Sequence, residues 1–303
     1  MPRRAAAFLV VMMLPLRALP LDLSGAVVVT PSKLSGPEEK AIAMLVDEVE
    51  KRTGSRWTVA PSAAGARIEV TDERAGPAEG FHIEVVGDSV RVTGNDARGV
   101  LFGIGRLLRE MRMERGAVSI TDGWTETSAP RYALRGHQLG YRPKTNSYDG
   151  WSVPVWEQYI RDLAVFGTNA IELIPPRSDD APDSPHFPLP PMRMMTEMSR
   201  LADEYGLDVW IWYPAMDRDY SDAKTVAAAL EEWGEVFRKL PRVDAVFVPG
   251  GDPGHTEPKV LMAFLQKETA VLHRYHPQAQ MWLVRVGSQY VRRFGPRGQS
   301  ITA

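Results

Sequence analysis

The stretch DAVFVPGGDPGH, Asp244–His255, decides the fold. A run of apolar residues stops at Gly250 and Gly251 and then presents Asp252, which reads as a short buried strand with a polar end. The helical pattern PKVLMAFLQKETAVLHRYH (258–276) comes next, and then a second apolar run, AQMWLVRV (279–286). Strand, helix and strand in this order make a βαβ unit with parallel strands.

The same rhythm extends upstream. YALRGHQLG (132–140) precedes a helix around VWEQYIRDLAVFG (155–167), and NAIELIPP (169–176) precedes MMTEMSRLADEYG (194–206). DVWIWYPA (208–215) precedes DAKTVAAALEEWGEVFRKL (222–240). Five strands and four helices in alternation mean a parallel sheet, either a barrel or a doubly wound fold. Two features favour a barrel. The strands carry polar or aromatic residues at their C-terminal ends, where barrel enzymes place their sites. No G-x-G-x-x-G turn follows the first strand, and GIGRLLRE (103–110) belongs to a helix instead. Residues 131–303 are therefore expected to be a (β/α)8-type TIM barrel. About 170 residues follow Arg131, whereas a full barrel needs about 250, so the barrel is expected to be C-terminally truncated. The alternative is a smaller five-stranded α/β domain with a loose tail, since GSQYVRRFGPRGQSITA (287–303) has no helical period.

Residues 23–128 have a different pattern. AVVVT (26–30) is a strand. GPEEKAIAMLVDEVEKRTG (36–54) is a helix with Ser35 near its N-cap, Pro37 in its first turn and Gly54 at its stop. Ile42, Leu45, Val46 and Val49 form its apolar stripe. ARIEV (66–70), GFHIEVVG (80–87) and SVRVTG (89–94) are strands, and DARGVLFGIGRLLREM (96–111) is a second helix. This predicts an α+β domain, a small sheet with helices on one face.

Composition excludes several classes. The 303 residues hold 44% hydrophobic and 24% charged side chains, ordinary for a globular protein, and no cysteine, so thiolate metal sites and a cysteine nucleophile are out. A net charge of −2 gives no footprint for nucleic acid. Residues 1–20 start with Arg3 and Arg4 and run apolar from Ala5 to Leu16, as a secretory signal peptide does. That run is too short to span a membrane comfortably, so the expectation is a secreted or periplasmic protein with no stable membrane insertion once the signal is cleaved.

Several strand residues are candidates for chemistry. Glu172 lies in an otherwise apolar strand, either as a substrate or catalytic carboxylate or ion-paired with a neighbour such as Arg135. Arg135 and His137 are two apart and share a face. Arg135 offers a rigid fork of donors to vicinal hydroxyls, or forms a structural ion pair. Tyr141 either stacks on a sugar or covers the rim. Trp210 and Trp212 share one strand face, with Tyr213 on the other; Trp210 is expected in the helix-facing shell, and Trp212 and Tyr213 are candidates to line a sugar subsite. Asp217 in the next loop is a catalytic or positioning carboxylate candidate. Asp252 is the leading one, followed by His255 and Glu257, unless the Gly-Pro loop only caps the next helix. No ligand spacing marks a metal site, and no cofactor is implied.

These residues carry a resemblance. GFHIEVVGDSVRVTGNDARGVLFGIGRLLREM (80–111) is similar to the non-catalytic N-terminal domain of family 20 glycoside hydrolases, the β-N-acetylhexosaminidases, and of α-glucuronidases. PRYALRGHQLGYR (130–142) resembles the first barrel strand of family 20, which implies that Arg135 binds sugar hydroxyls. FGTNAIEL (166–173) resembles the second, with Glu172 where that family often has His. YGLDVWIWYPAMD (205–217) resembles the third, with Pro214 and Asp217 matching and Ala215 in place of a Glu. VFVPGGDPGH (246–255) resembles the fourth, which ends Gly-Gly-Asp-Glu. The resemblance implies that Asp252 orients an acetamido group, while Pro253 replaces the general acid. The reading is an exported glycoside hydrolase-like protein acting on a polysaccharide or glycoconjugate, with Asp252, Glu172 and Asp217 as catalytic candidates and Arg135, His137, Tyr141, Trp212, Tyr213 and His255 as carbohydrate-binding ones. The alternatives are a catalytically impaired carbohydrate-binding barrel and a non-functional gene fragment.

Overall fold

The computed structural model describes residues 19–73, 75–139, 150–177, 187–249, 256–284, 291–294 and 300–302. The first part contains β1 (Leu21–Asp22), β2 (Val27–Val29), α1 (Gly36–Thr53), β3 (Thr58–Ala60), β4 (Arg67–Asp72), β5 (Phe81–Val86), β6 (Ser89–Gly94), α2 (Ala97–Glu110), β7 (Arg112–Glu114), β8 (Ala117–Ile120) and β9 (Thr125–Ser128). Six of the strands form a mixed sheet in the order β3-β2-β4-β6-β5-β9, and β1-β8-β7 form a small antiparallel one.

The start and stop of α1 follow from its sequence. The backbone N–H and hydroxyl of Ser35 both donate to Glu38 Oε2 at 2.6 Å, joining the N-cap to the first turn. Gly54 ends the helix at φ 79°, a left-handed position where a side chain would be strained. Ala41, Leu45 and Val49 are fully buried. Asp96 caps α2 by accepting from the Gly99 N–H at 2.7 Å. Both helices pack together in the core formed with the sheet.

The second part contains β10 (Gly136–Gln138), α3 (Val153–Val165), β11 (Ala170–Leu173), α4 (Pro191–Glu204), β12 (Asp208–Trp212), α5 (Ala223–Lys239), β13 (Ala245–Pro249), α6 (Pro258–Tyr275), β14 (Gln280–Val284), β15 (Val291–Phe294) and β16 (Ser300–Thr302). Its seven strands pair strictly in chain order. The first five are parallel, and β15 and β16 add as antiparallel strands. A doubly wound sheet reverses its strand order at a switch point, and this sheet does not. With right-handed crossovers throughout, an unreversed order puts every helix on the same face.

The alternating βα rhythm is thus present as expected. The closed eight-stranded barrel is not: among the described residues no ladder joins β16 to β10, and the sheet is open. The stretch without helical period supplies two strands, β15 and β16, where a loose tail was one of the expectations. Among the described residues no helix is long and apolar enough to cross a membrane.

The two parts meet through helices and ion pairs. α2 lies so close to α3 that a Cβ on Gly105 would stand 2.8 Å from Val165 Cα. Lys40 of α1 bridges Glu157 and Glu204, each at 2.8 Å. Arg98 of α2 binds Glu79 at 2.9 Å, Asp208 at the start of β12, and the Gly206 carbonyl at 2.6 Å. This junction covers the α3–α4 side and the N-terminal ends of β11 and β12, and leaves the C-terminal strand ends to the loops.

Candidate active face

Alternation along the parallel strands divides the side chains into two faces. Ile171, Val209, Ile211, Val246, Val248 and Met281 are buried at 0% exposure within the core that includes the helices. The opposite face is half-buried. Register aligns Gln138 with Glu172, Glu172 with Trp210, and Trp212 with Phe247 and then Trp282. Trp210 and Trp282 meet edge to face with ring centroids 4.5 Å apart. Among the described residues this face sets the Glu172 carboxyl beside aromatic rings, with Asp208 at its N-terminal edge.

Trp210 corrects an expectation. Its place is not the helix-facing shell: it pairs in register with Glu172 and meets Trp282 on the inner face. The helix-facing row of β12 is Val209 and Ile211, and it continues into Tyr213. Tyr213 is 2% exposed and stacks on Trp233 of α5 at 3.8 Å, so it lies in the core and not against a ligand.

Glu172 makes no side-chain hydrogen bond or ion pair with the described residues, and burial raises its pKa above the ordinary carboxylate value. Its expected partner Arg135 is committed elsewhere. Arg135 precedes β10, at the N-terminal end of the sheet. Its Nη2 binds Glu79 Oε2 at 2.5 Å, its Nε donates to the Gly167 carbonyl at 2.7 Å and its Nη1 to the Tyr132 carbonyl at 2.8 Å. Burial pushes Glu79 upward, but hydrogen bonds from Arg98, Asn169 and Arg135 outweigh it and hold the carboxyl low. Arg135 thus takes the structural ion-pair option, with Glu79 in place of Glu172. His137 shares its face, as expected, but that face looks toward the helices: its Nε2 is 2.8 Å from the Tyr159 hydroxyl. Arg135, His137 and Tyr213 are therefore not brought together with Glu172.

Asp217 sits in the loop after β12. Arg177, just beyond β11, binds Asp217 Oδ1 and Glu232 Oε2, each at 2.9 Å. The Tyr213 hydroxyl donates to Glu232 Oε1 at 3.3 Å, and the Asp217 N–H donates to the Tyr220 hydroxyl at 3.1 Å. Behind this network, Glu268 of α6 is 0% exposed, and neither carboxyl oxygen is bonded to the described residues. Burial, reinforced by Glu232, pushes its pKa up to about 9. No signal in the sequence marked Glu268; it occupies a core-facing position of an otherwise ordinary amphipathic helix. Glu257 is exposed and stands at the N-cap of α6 without a side-chain cap bond. Tyr141, Asp252 and His255 lie outside the described residues, as does Pro253; Ala215 is buried at 7% exposure.

No family model matches this sequence, and no curated protein does. Solved structures do match. A family 20 β-N-acetylhexosaminidase from Streptomyces coelicolor superposes with a TM-score of 0.66 at 17% identity, over 84% of this chain and 62% of its own. A family 20 exo β-N-acetylglucosaminidase from Vibrio harveyi gives 0.64 at 12%, over 85% and 51%. A Flavobacterium johnsoniae chitobiase gives 0.64 at 14%, over 86% and 50%. The chain spans between half and two thirds of the length of these proteins. Over that span its fold is that of the family 20 glycoside hydrolases.

Proposed function

We propose that this chain belongs to a carbohydrate-active protein that hydrolyses O-glycosyl bonds, with its site on the inner face and C-terminal strand ends of the β10–β14 sheet. The observation that carries the reading is Glu172, a carboxyl without a cationic partner among the described residues, set beside the ring of Trp210. Glycosidases use one carboxyl kept protonated and another kept charged. Glu172, in apolar surroundings, suits the proton donor that Pro253 does not provide. Asp252 and Asp217 are the candidates for the charged partner, and Asp217 is already bound by a guanidinium. Trp212 supplies an aromatic face for sugar C–H bonds. Tyr141 and His255 remain sugar-contact candidates. The match to family 20 structures over 84% and 85% of the chain supports a sugar-hydrolase type of sheet, and the basic, then apolar start supports export.

The test is hydrolysis of a panel of glycans and aryl glycosides, comparing the parent with Glu172→Gln and Asp252→Asn. A proton donor contributes about 10²–10⁴ in rate, so Glu172→Gln should lose at least about a hundredfold with a thermal melt no lower than the parent's. Unchanged turnover by both variants on every substrate the parent cleaves would end this assignment.

A second reading is sugar binding without hydrolysis. Ala215 and Pro253 favour it, because both stand where the resembled family has a carboxylate. Calorimetric binding of a glycan with no reducing ends released would establish it over the first.

A further inference from the structure

A cleft of 270 Å³ opens at the junction of the two parts, at the end of the sheet opposite the active face. Pockets gather at such domain interfaces, and this volume, just below the ~300–1,000 Å³ of drug-sized sites, holds one ring-sized ligand. Its floor is Phe81 and Phe102, with Phe166 on its wall. Phe166 is 74% exposed, an aromatic ring left in water beside a cavity. Arg109 lies over that ring, 5.2 Å from its centroid. Its only hydrogen bond to the described residues is a long one, from Nε to the Gly105 carbonyl at 3.4 Å, and it forms no ion pair with them.

The charges in the lining narrow the ligand. Three arginines, Arg106, Arg109 and Arg135, face two glutamates, Glu79 and Glu126. Arg135 is bound to Glu79, and Arg106 to Glu110 at 3.0 Å and Glu126 at 3.5 Å. Arg109 is the guanidinium left over. It would bind a carboxylate as a two-pronged fork. The glutamates would repel a bare anion and would favour hydroxyl donors on the same ligand. The Phe166 ring suits a saturated ring's C–H face.

We propose that this cleft binds a monosaccharide-sized acidic sugar, its carboxylate on Arg109, its ring on Phe166 and its hydroxyls toward Glu126. This site is separate from the active face and does not depend on whether the chain hydrolyses glycosides.

The test titrates the intact protein with glucuronate, glucose and benzoate, followed by saturation-transfer NMR and calorimetry. Glucuronate should bind at least about tenfold more tightly than either control, since glucose lacks the anion and benzoate the hydroxyls. Arg109→Ala and Phe166→Ala change exposed side chains and should leave the melt intact. The first should weaken glucuronate about tenfold or more, and the second several-fold. No binding of glucuronate, equal binding of either control, or full affinity in Arg109→Ala would each overturn the proposal.

Discussion

Arg135 bonds Glu79 across the junction of the two parts, its Nη2 2.5 Å from Glu79 Oε2. This ion pair ties the segment that leads into the first strand of the parallel sheet to the N-terminal part. Asn169 takes part in both halves: its Nδ2 donates to Glu79 Oε1 at 3.0 Å, and its Oδ1 accepts from the Arg135 N–H at 2.8 Å.

Because the Arg135 and Glu79 side chains are only 22% and 11% exposed, their pairing is screened little by water. Arg135→Ala should destabilise by about 1–3 kcal/mol, since it leaves Glu79 short of one donor. Arg135→Ala, Glu79→Ala and the double variant form a cycle measurable by denaturant unfolding. The coupling should be positive and near the size of the single effect. Additive single effects would mean that Arg98 and Asn169 alone satisfy Glu79.

Glu172→Gln should leave the protein as stable at pH 7 or make it more stable, even where it removes activity. The folded pKa of Glu172 is raised by burial, so the stability this group contributes is complete below the unfolded carboxylate pKa and is lost as pH rises through the folded value. Gln cannot ionise and avoids that loss. Thermal melts of parent and variant at pH 4 and pH 8 should show the variant gaining on the parent at the higher pH. A gap that narrows with pH would mean that Glu172 has a cationic partner in the folded chain.

Glu268 should give a larger effect of the same sign. Its folded pKa is about 9 against an ordinary 4.5, so its contribution fades as pH rises across that window and is gone above it. Both oxygens are fully buried and unbonded among the described residues. Glu268→Gln should match the parent near pH 4.5 and be clearly more stable than it at pH 8, because Gln shares the buried polar group but not its ionisation. Melts at the two pH values measure it. Equal shifts at both pH values would show that packing, and not ionisation, separates the two proteins.

The period-2 and period-3.6 patterns made most of the elements legible. Ser35, Glu38 and Gly54 set the ends of α1, and the apolar runs of β11 to β14 announced a parallel sheet. β7 and β9 are short, largely exposed strands such as TETS (125–128), which lack an apolar alternation and gain order only by pairing with neighbours, while β8 alternates, with Val118 and Ile120 buried, but over only 4 residues. Residue spacing also put Arg135 and His137 on one face, but could not tell which face. That depends on whether helices lie behind it, a tertiary fact. The partner of Arg135 was out of reach for the same reason: Glu79 is 56 residues away, in the other part of the chain. The general habit of tryptophans in barrels points Trp210 to the wrong shell. The parity of β12 would have placed it correctly once Val209 and Ile211 were taken as the buried row.

Gly105→Ala tests the helix contact that joins the two parts. The added Cβ would meet Val165 Cα at 2.8 Å and its carbonyl oxygen at 2.9 Å, both backbone atoms that cannot swing aside. α2 and α3 would have to separate, and overpacking of this kind costs about 1–3 kcal/mol. The gain in helix propensity from Ala, about 0.8–1 kcal/mol, acts in the opposite direction and offsets part of it. The net effect should be destabilising, with amide exchange fastest at the junction residues around Val165 and Gly105. Gly116→Ala is not a suitable control, because Gly116 has φ 75° and would add backbone strain of its own. Gly36→Ala is suitable, because nothing lies within 4 Å of the added Cβ. If Gly105→Ala proves as harmless as Gly36→Ala in denaturant unfolding, the two helices do not pack as closely in solution as the geometry requires.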